Sequence, residues 1–324
     1  MTRRELLGAG AAAGIGLLAG FGTPAFAGAP WSAAGAKRKR VLRVAHLTDL
    51  HIEPERAGGE GVAACLKHVQ SLGDKPDLVL TGGDLIFDGF SQERERTQML
   101  WDLFTGTVKR ECGLPVEHGL GNHDIWGWNK GKSKTTGEEP GWGKKWAVEA
   151  LGLPERYRSF DRAGWKFIVL DSTHTDPADP NGYKARLDEA QMDWLKRELD
   201  GADKSRPVLI LSHIPILSAS ALVISNETKT GDNVVSGAEM HLDCVELAAM
   251  FAAHGNVRLC LSGHMHKLDR VEYQGTTYIC NGAVCGGWWK GPKDWCDEGY
   301  GIVDLYDDGT LENRYQTFGW KARE

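Results

Sequence analysis

The sequence predicts a layered α/β domain that begins near Val41, and three observations carry that reading. Short apolar runs alternate with helix-period segments from Val41 to Ser262, the rhythm of strands and helices packed in layers. Beyond Ser262 the helical segments stop, and short strands follow one another across turns. Five of the expected strand ends carry Asp, Asn or His.

Taken in order, Val41–Thr48 reads as a first strand and Gly61–Leu72 as a helix. Asp77–Thr81 is a second strand, Gln92–Lys109 a long helix and Leu114–Gly119 a third strand. Lys166–Leu170 and Val208–Ser212 are further strands, separated by a helix over Asp188–Leu199. Leu242–Ala253 is a helix leading into the strand Arg258–Ser262. Val271–Tyr273, Thr277–Cys280, Gly301–Leu305 and Leu311–Tyr315 then form an antiparallel β region. Two stretches break the rhythm: Gly127–Gly143, rich in Gly, Lys and Trp, and the polar Ser218–Gly237. Long loops in a compact domain usually cover a site or bind something.

The first residues read differently. Thr2-Arg3-Arg4-Glu5-Leu6-Leu7 is a twin-arginine sequence, Gly8 to Phe21 is weakly apolar, and Ala25-Phe26-Ala27 has the small-residue spacing of a cleavage site. Residues 1–27 are therefore expected to be a signal for the twin-arginine export machinery, residues 28–40 a linker, and 41–324 the folded domain. Export to the periplasm or exterior follows as an expectation. The apolar stretch is too short for a permanent membrane helix, and no transmembrane segment is expected in the mature chain.

Composition excludes some partners. Hydrophobic residues are 41% and charged residues 25%, with net charge −6 and a pI near 6.0. No basic field draws this chain onto nucleic acid or an anionic membrane, so an anionic substrate would need a local cation. The seven cysteines include no Cys-x-x-Cys pair and read mostly as small buried hydrophobes. Cys285 and Cys296, in one Gly/Trp-rich loop, are the pair to examine for a bridge.

The chemistry sits at the strand ends. Asp49 and His51 follow the first strand, Asp84 the second, and Asn122, His123 and Asp124 the third; His213 and then His264 and His266 follow later ones. In an α/β sheet the carboxyl ends of strands line the ligand crevice. Each motif alone has a bland reading: an Asp ending a strand is commonly a turn or cap, and structural histidines are common. Five such motifs at successive strand ends point to shared chemistry.

As a set these motifs resemble the calcineurin-like metallophosphoesterase family, over about Val41 to Asn281. The resemblance implies a four-layer αββα sandwich with a metal site at the C-terminal ends of strands. It implies one metal ion on Asp49, His51, Asp84 and His266, and a second on Asp84, Asn122, His213 and His264, with Asp84 bridging. His123 would stand unligated near substrate, oriented by Asp124. Two close ions sharing a carboxylate would activate a bridging hydroxide for in-line attack on phosphorus. Mixed nitrogen and oxygen ligation suits Mn, Fe or Zn. Phe87 stands where purple acid phosphatases place a metal-binding tyrosine, and the arginines of Ser/Thr protein phosphatases are absent after the second and third motifs. The chain looks closer to the bacterial phosphodiesterase-like branch.

The expected function is dinuclear metal-dependent hydrolysis of a small-molecule phosphate ester, a phosphodiester before a monoester. The alternative is a metal-binding, non-catalytic cell-envelope protein on the same fold. Trp126, Trp128, Trp288 and Trp289 are candidates for an aromatic substrate rim, and loop packing is the competing reading for each. Lys130, Lys132 and Lys134 could assist an anionic leaving group, and His174 and His241 could approach the site, but a solvated surface or structural role is the expected reading for each. Oligomeric state is left open.

Overall fold

A computed structural model describes residues 38–224 and 226–323. The expected signal peptide and most of the linker lie outside the described residues. Among those described, no helix is long and apolar enough to cross a membrane.

In chain order the strands are β1 (Arg40–Leu47), β2 (Leu78–Thr81), β3 (Val116–His118), β4 (Arg158–Arg162), β5 (Trp165–Val169), β6 (Thr173–Thr175), β7 (Tyr183–Ala185), β8 (Val208–Leu211), β9 (Asn226–Glu227), β10 (Val234–Val235), β11 (Val257–Ser262), β12 (Asp269–Tyr273), β13 (Thr276–Cys280), β14 (Gly299–Tyr306) and β15 (Leu311–Thr317). The helices are α1 (Gly58–Ser71), α2 (Arg94–Glu111), α3 (Lys130–Ser133), α4 (Lys145–Ala150), α5 (Glu189–Asp200), α6 (Ala219–Ile224) and α7 (Cys244–His254). One sheet has the order β15-β14-β1-β2-β3 and the other β12-β13-β11-β8-β5-β4. The pairs β6/β7 and β9/β10 form two small ribbons.

Strand alternation builds four layers. On β1, Leu42 and Val44 face the second sheet while Ala45 and Leu47 face α1 and α2. On β8, Leu209 and Leu211 enter the inter-sheet core while Val208 and Ile210 pack under α5 and α7. Side chains on successive strand residues point to opposite faces, so a strand between two apolar layers is largely apolar. That is why β1, β5, β8 and β11 read as largely apolar segments. The expected αββα sandwich is the observed architecture.

The late strands do form antiparallel pairs, β12 with β13 and β14 with β15, but the two pairs join different sheets. β13 runs parallel to β11, pairing Leu261 with Ile279, and only β12 is antiparallel to it. β14 and β15 cross to the other sheet, where β14 pairs antiparallel with β1, Val44 opposite Val303. Such pairing depends on contacts more than two hundred residues apart, which local pattern does not encode. β4 and the ribbons were also not expected from the sequence, being short and half-polar.

Candidate metal centre

All seven expected ligands come together at the carboxyl ends of β1, β2, β8 and β11 and on the loop after β3. Asp49, His51, Asp84, Asn122, His213 and His266 are buried, with Asp49 and His51 fully so. Five of the seven, Asp49, His51, Asp84, His264 and His266, have a left-handed backbone, with φ between 40° and 69°. That conformation costs an L-residue about 1–2 kcal/mol, and strain of this kind collects where surrounding packing enforces a functional geometry. Glycine makes the approach possible. A Cβ on Gly121 would lie 2.2 Å from Asp84 Oδ1, and one on Gly263 would lie 2.3 Å from Asp49 Oδ2.

Around Asp49, His266 Nε2 is 3.4 Å from Oδ1 and His51 Nε2 is 3.9 Å away. The two ring nitrogens of His51 and His266 face each other at 3.2 Å. Around Asp84, His213 Nε2 is 3.1 Å and His51 Nε2 3.6 Å from Oδ2, while Asn122 Oδ1 lies 3.2 Å from His213 Nε2. Asp84, His213 and His264 place ligand atoms within 4.8 Å of one another. Asp84 thus adjoins both halves.

Three of these histidines are fixed from behind. His51 Nδ1 faces Phe87 O at 3.3 Å, His213 Nδ1 faces Gly82 O at 2.8 Å, and His266 Nδ1 faces Gly286 O at 2.6 Å. A carbonyl only accepts, so each Nδ1 carries the hydrogen and each Nε2 is turned into the centre. Electrostatics fits a cation receptor. Burial opposes an imidazolium at His213, yet Asp84 outweighs it and holds the ring up at about 9. Burial and the neighbouring His213 push His264 down to about 3. Asp84 stays well below the usual carboxylate range because the imidazoles around it outweigh its burial. Protons on imidazole here balance carboxylates that metal ions would otherwise neutralise, and metal binding would displace them. The residues present therefore fit divalent metal ions.

The expected pairing of Asp124 with His123 is corrected. The buried Asp124 carboxylate accepts the backbone N–H groups of Leu85, Ile86 and Gly121 at 2.8, 3.3 and 2.9 Å, tying the second and third motif loops together. Burial and the nearby Asp84 charge raise its pKa to about 7. The carboxylate facing His123 is Asp88, 3.5 Å from Nδ1. Burial disfavours the His123 imidazolium, but Asp84 and Asp88 together raise its pKa. Asp88 lies four residues after Asp84 on the same loop, and the sequence alone does not mark it as the partner of His123.

The tryptophan rim is also corrected. Trp126 is buried, donates its indole N–H to Gln92 O and meets Trp146 edge-on. Trp289 is buried as well: its N–H goes to His51 O at 3.0 Å, and its ring fills the space a Gly61 side chain would need. Both are packing residues. Trp128 packs edge-on against Phe90 in a small apolar cluster with Tyr183 and Ile214. Trp288 alone of the four stands over the centre, with ring centroids 3.8 Å from His51, 5.1 Å from His123 and 5.4 Å from His266. Cys285 and Cys296 are free thiols. His241 is structural, bonded to Ser212 and Asp243. Lys130 is held by Thr136 and Lys134 by Glu93, both at the surface.

Residues 42–268 match the family described as calcineurin-like phosphoesterase. The chain belongs to that family and is a phosphoric ester hydrolase of the divalent-metal-dependent kind. It is 28% identical over 290 residues, 86% of this chain and 93% of the relative, to a 3′,5′-cyclic-nucleotide phosphodiesterase of Nostoc sp.. A 3′,5′-cyclic adenosine monophosphate phosphodiesterase of Escherichia coli is 22% identical over 294 residues, covering 86% of this chain and 89% of its own. Among solved structures, a dimetal phosphatase of Danio rerio superposes with TM-score 0.53 at 14% identity, over 87% of this chain and 100% of that one. GAP50, the anchor in the inner membrane complex of Plasmodium, superposes with TM-score 0.52 at 16% identity, over 87% and 86%. These two speak to the fold alone.

Proposed function

We propose that this chain hydrolyses a phosphodiester, a 3′,5′-cyclic nucleotide, at a centre holding two metal ions, Mn, Fe or Zn. The observation that carries the reading is the convergence of Nε2 atoms of His51, His213 and His266 on Asp49 and Asp84, with His123 beside them. Asp49, His51, Asp84 and His266 would hold one ion and Asp84, Asn122, His213 and His264 the other. Bound there, the ions would supply positive charge to the phosphate oxygens and acidify water. The substrate class is taken from the named activities of the Nostoc and E. coli relatives.

The chain's own groups do the rest. His123 turns Nδ1 to Asp88, which leaves Nε2 to donate a proton to a phosphoryl or leaving-group oxygen. Asp88 sustains the protonated form that this donation needs. Asp124 holds the second and third motif loops in register. Trp288 offers an aromatic face beside His123 for a flat substituent of the ester.

The test supplies metal-free protein with Mn²⁺, Fe²⁺ or Zn²⁺ and compares a 3′,5′-cyclic nucleotide with a nucleoside monophosphate. Metal-restored cleavage of the diester, lost in Asn122→Ala and His123→Ala, is the expected result. Monoester turnover above diester turnover would overturn the substrate assignment. We propose as well, from residues 1–27, that the chain is exported folded by the twin-arginine route. A mature N-terminus well before residue 28 would refute that.

A further inference from the structure

Three of the four centre histidines are anchored through Nδ1 by backbone carbonyls, and His264 is not. Its Nε2 is a buried atom with no hydrogen-bond partner. The acceptor facing that atom is Glu239 Oε2, at 3.6 Å. Glu239 belongs to no motif at a strand end. It lies two residues beyond the polar stretch Ser218–Gly237, whose role the sequence left unassigned.

The segment that carries Glu239 is pinned on both sides. Gly237 O accepts from Ala185 N at 2.6 Å and Leu242 N donates to Ala185 O at 2.9 Å, which fastens it to the β6/β7 ribbon. His241 N donates to Pro215 O at 3.0 Å, and its ring reaches Ser212, the neighbour of His213. Tyr183, on the same ribbon, sets its ring edge-on to His264 at 6.5 Å. Glu239 is thus held against His264 by a built frame.

We propose that Glu239 is the positioning residue of His264: its carboxylate accepts the Nε2–H and leaves Nδ1 as the atom offered to the second metal ion. A histidine that ligates a metal nearly always gives its other ring N–H to a carboxylate, a backbone carbonyl or water. Backbone carbonyls do this for His51, His213 and His266, whose Nε2 atoms face the centre. Glu239 does it for His264 with the ring reversed. A carboxylate beside an anionic substrate otherwise repels it, which gives this placement a cost unless it serves the metal. The second ion's affinity then depends on the 218–242 segment being in place, and the first ion's does not. This inference rests on the two-ion reading above.

The experiment measures metal stoichiometry by equilibrium dialysis of the full chain against graded Mn²⁺ or Co²⁺, for wild type, Glu239→Ala and Glu239→Gln. Glu239→Ala should weaken one of two ions by about 10–100-fold, leaving the other within about twofold. Glu239→Gln should recover part of that loss, since an amide oxygen also accepts an N–H. Unchanged occupancy with a raised KM for substrate would overturn the proposal and make Glu239 a substrate contact. Equal loss of both ions, or of the folded state by circular dichroism, would also overturn it. Wild-type protein that binds a single ion would instead refute the dinuclear reading, and this inference with it.

Discussion

Gly263→Ala tests how tightly the centre is built, because one methyl group reports on two motifs. A Cβ at Gly263 would lie 1.9 Å from Thr48 Oγ1, 2.8 Å from Thr48 Cβ and 2.3 Å from Asp49 Oδ2, where ordinary contact begins near 3.4 Å. Gly263 lies outside the left-handed region, so the effect is steric. Relief requires the Asp49 carboxylate to move by roughly 1 Å, and Asp49 also accepts the His264 N–H at 2.9 Å and faces His266 at 3.4 Å. Metal–ligand distances tolerate about 0.2 Å, and a misplacement of about 1 Å costs on the order of 10²-fold in rate. Overpacking of this kind costs about 1–3 kcal/mol of stability. Turnover of bis(p-nitrophenyl) phosphate with saturating Mn²⁺, metal content and Tm are the readouts. We expect a loss of about 100-fold or more, metal content reduced at the Asp49 side, and a Tm lower by several degrees. A variant that keeps two ions and more than a tenth of the turnover would refute the steric reasoning.

Asp88→Asn should lower kcat by about tenfold or more with metal content unchanged, as expected for a group that supports an acid. His123 must be protonated to donate, so activity falls as pH rises through its pKa; removing Asp88 lowers that pKa and should move the alkaline limb of the rate profile to lower pH. A limb that stays put would remove Asp88 from this role. His46 is buried, which presses its pKa from 6.5 to about 4. The unfolded chain therefore binds the proton first: stability is full above about pH 6.5 and falls by about 3 kcal/mol as pH drops toward 4. Denaturant melts of wild type and His46→Gln across that window check this, and equal slopes would contradict it. Trp126→Ala should cost about 3–5 kcal/mol while the folded fraction keeps its activity. Trp288→Ala should leave Tm nearly unchanged and raise KM for a cyclic nucleotide more than for a small chromogenic diester, and the reverse pattern would return Trp288 to packing.

The sequence by itself determined the layers and the strand-end motifs. Strands packed on both faces are largely apolar, so β1, β5, β8 and β11 were legible as strands, and the Asp, Asn and His residues were legible at strand ends. That Asp49, His51, Asp84, Asn122, His213, His264 and His266 are the expected ligands came from the family resemblance those motifs carry. Only the tertiary structure decided which neighbours serve them. Asp124 lies beside His123 in the chain, yet its carboxylate turns to the backbone of Leu85 and Gly121, while Asp88 faces the imidazole. Trp288 and Trp289 are adjacent and identical, and one caps the centre while the other is buried under α1. Glu239 reaches His264 through a pinned loop with no period at all. The physical reason is one of range. Periodicity and strand-end placement are set by a residue's own few neighbours, whereas a side chain's direction and partner are set by packing between segments far apart in the chain.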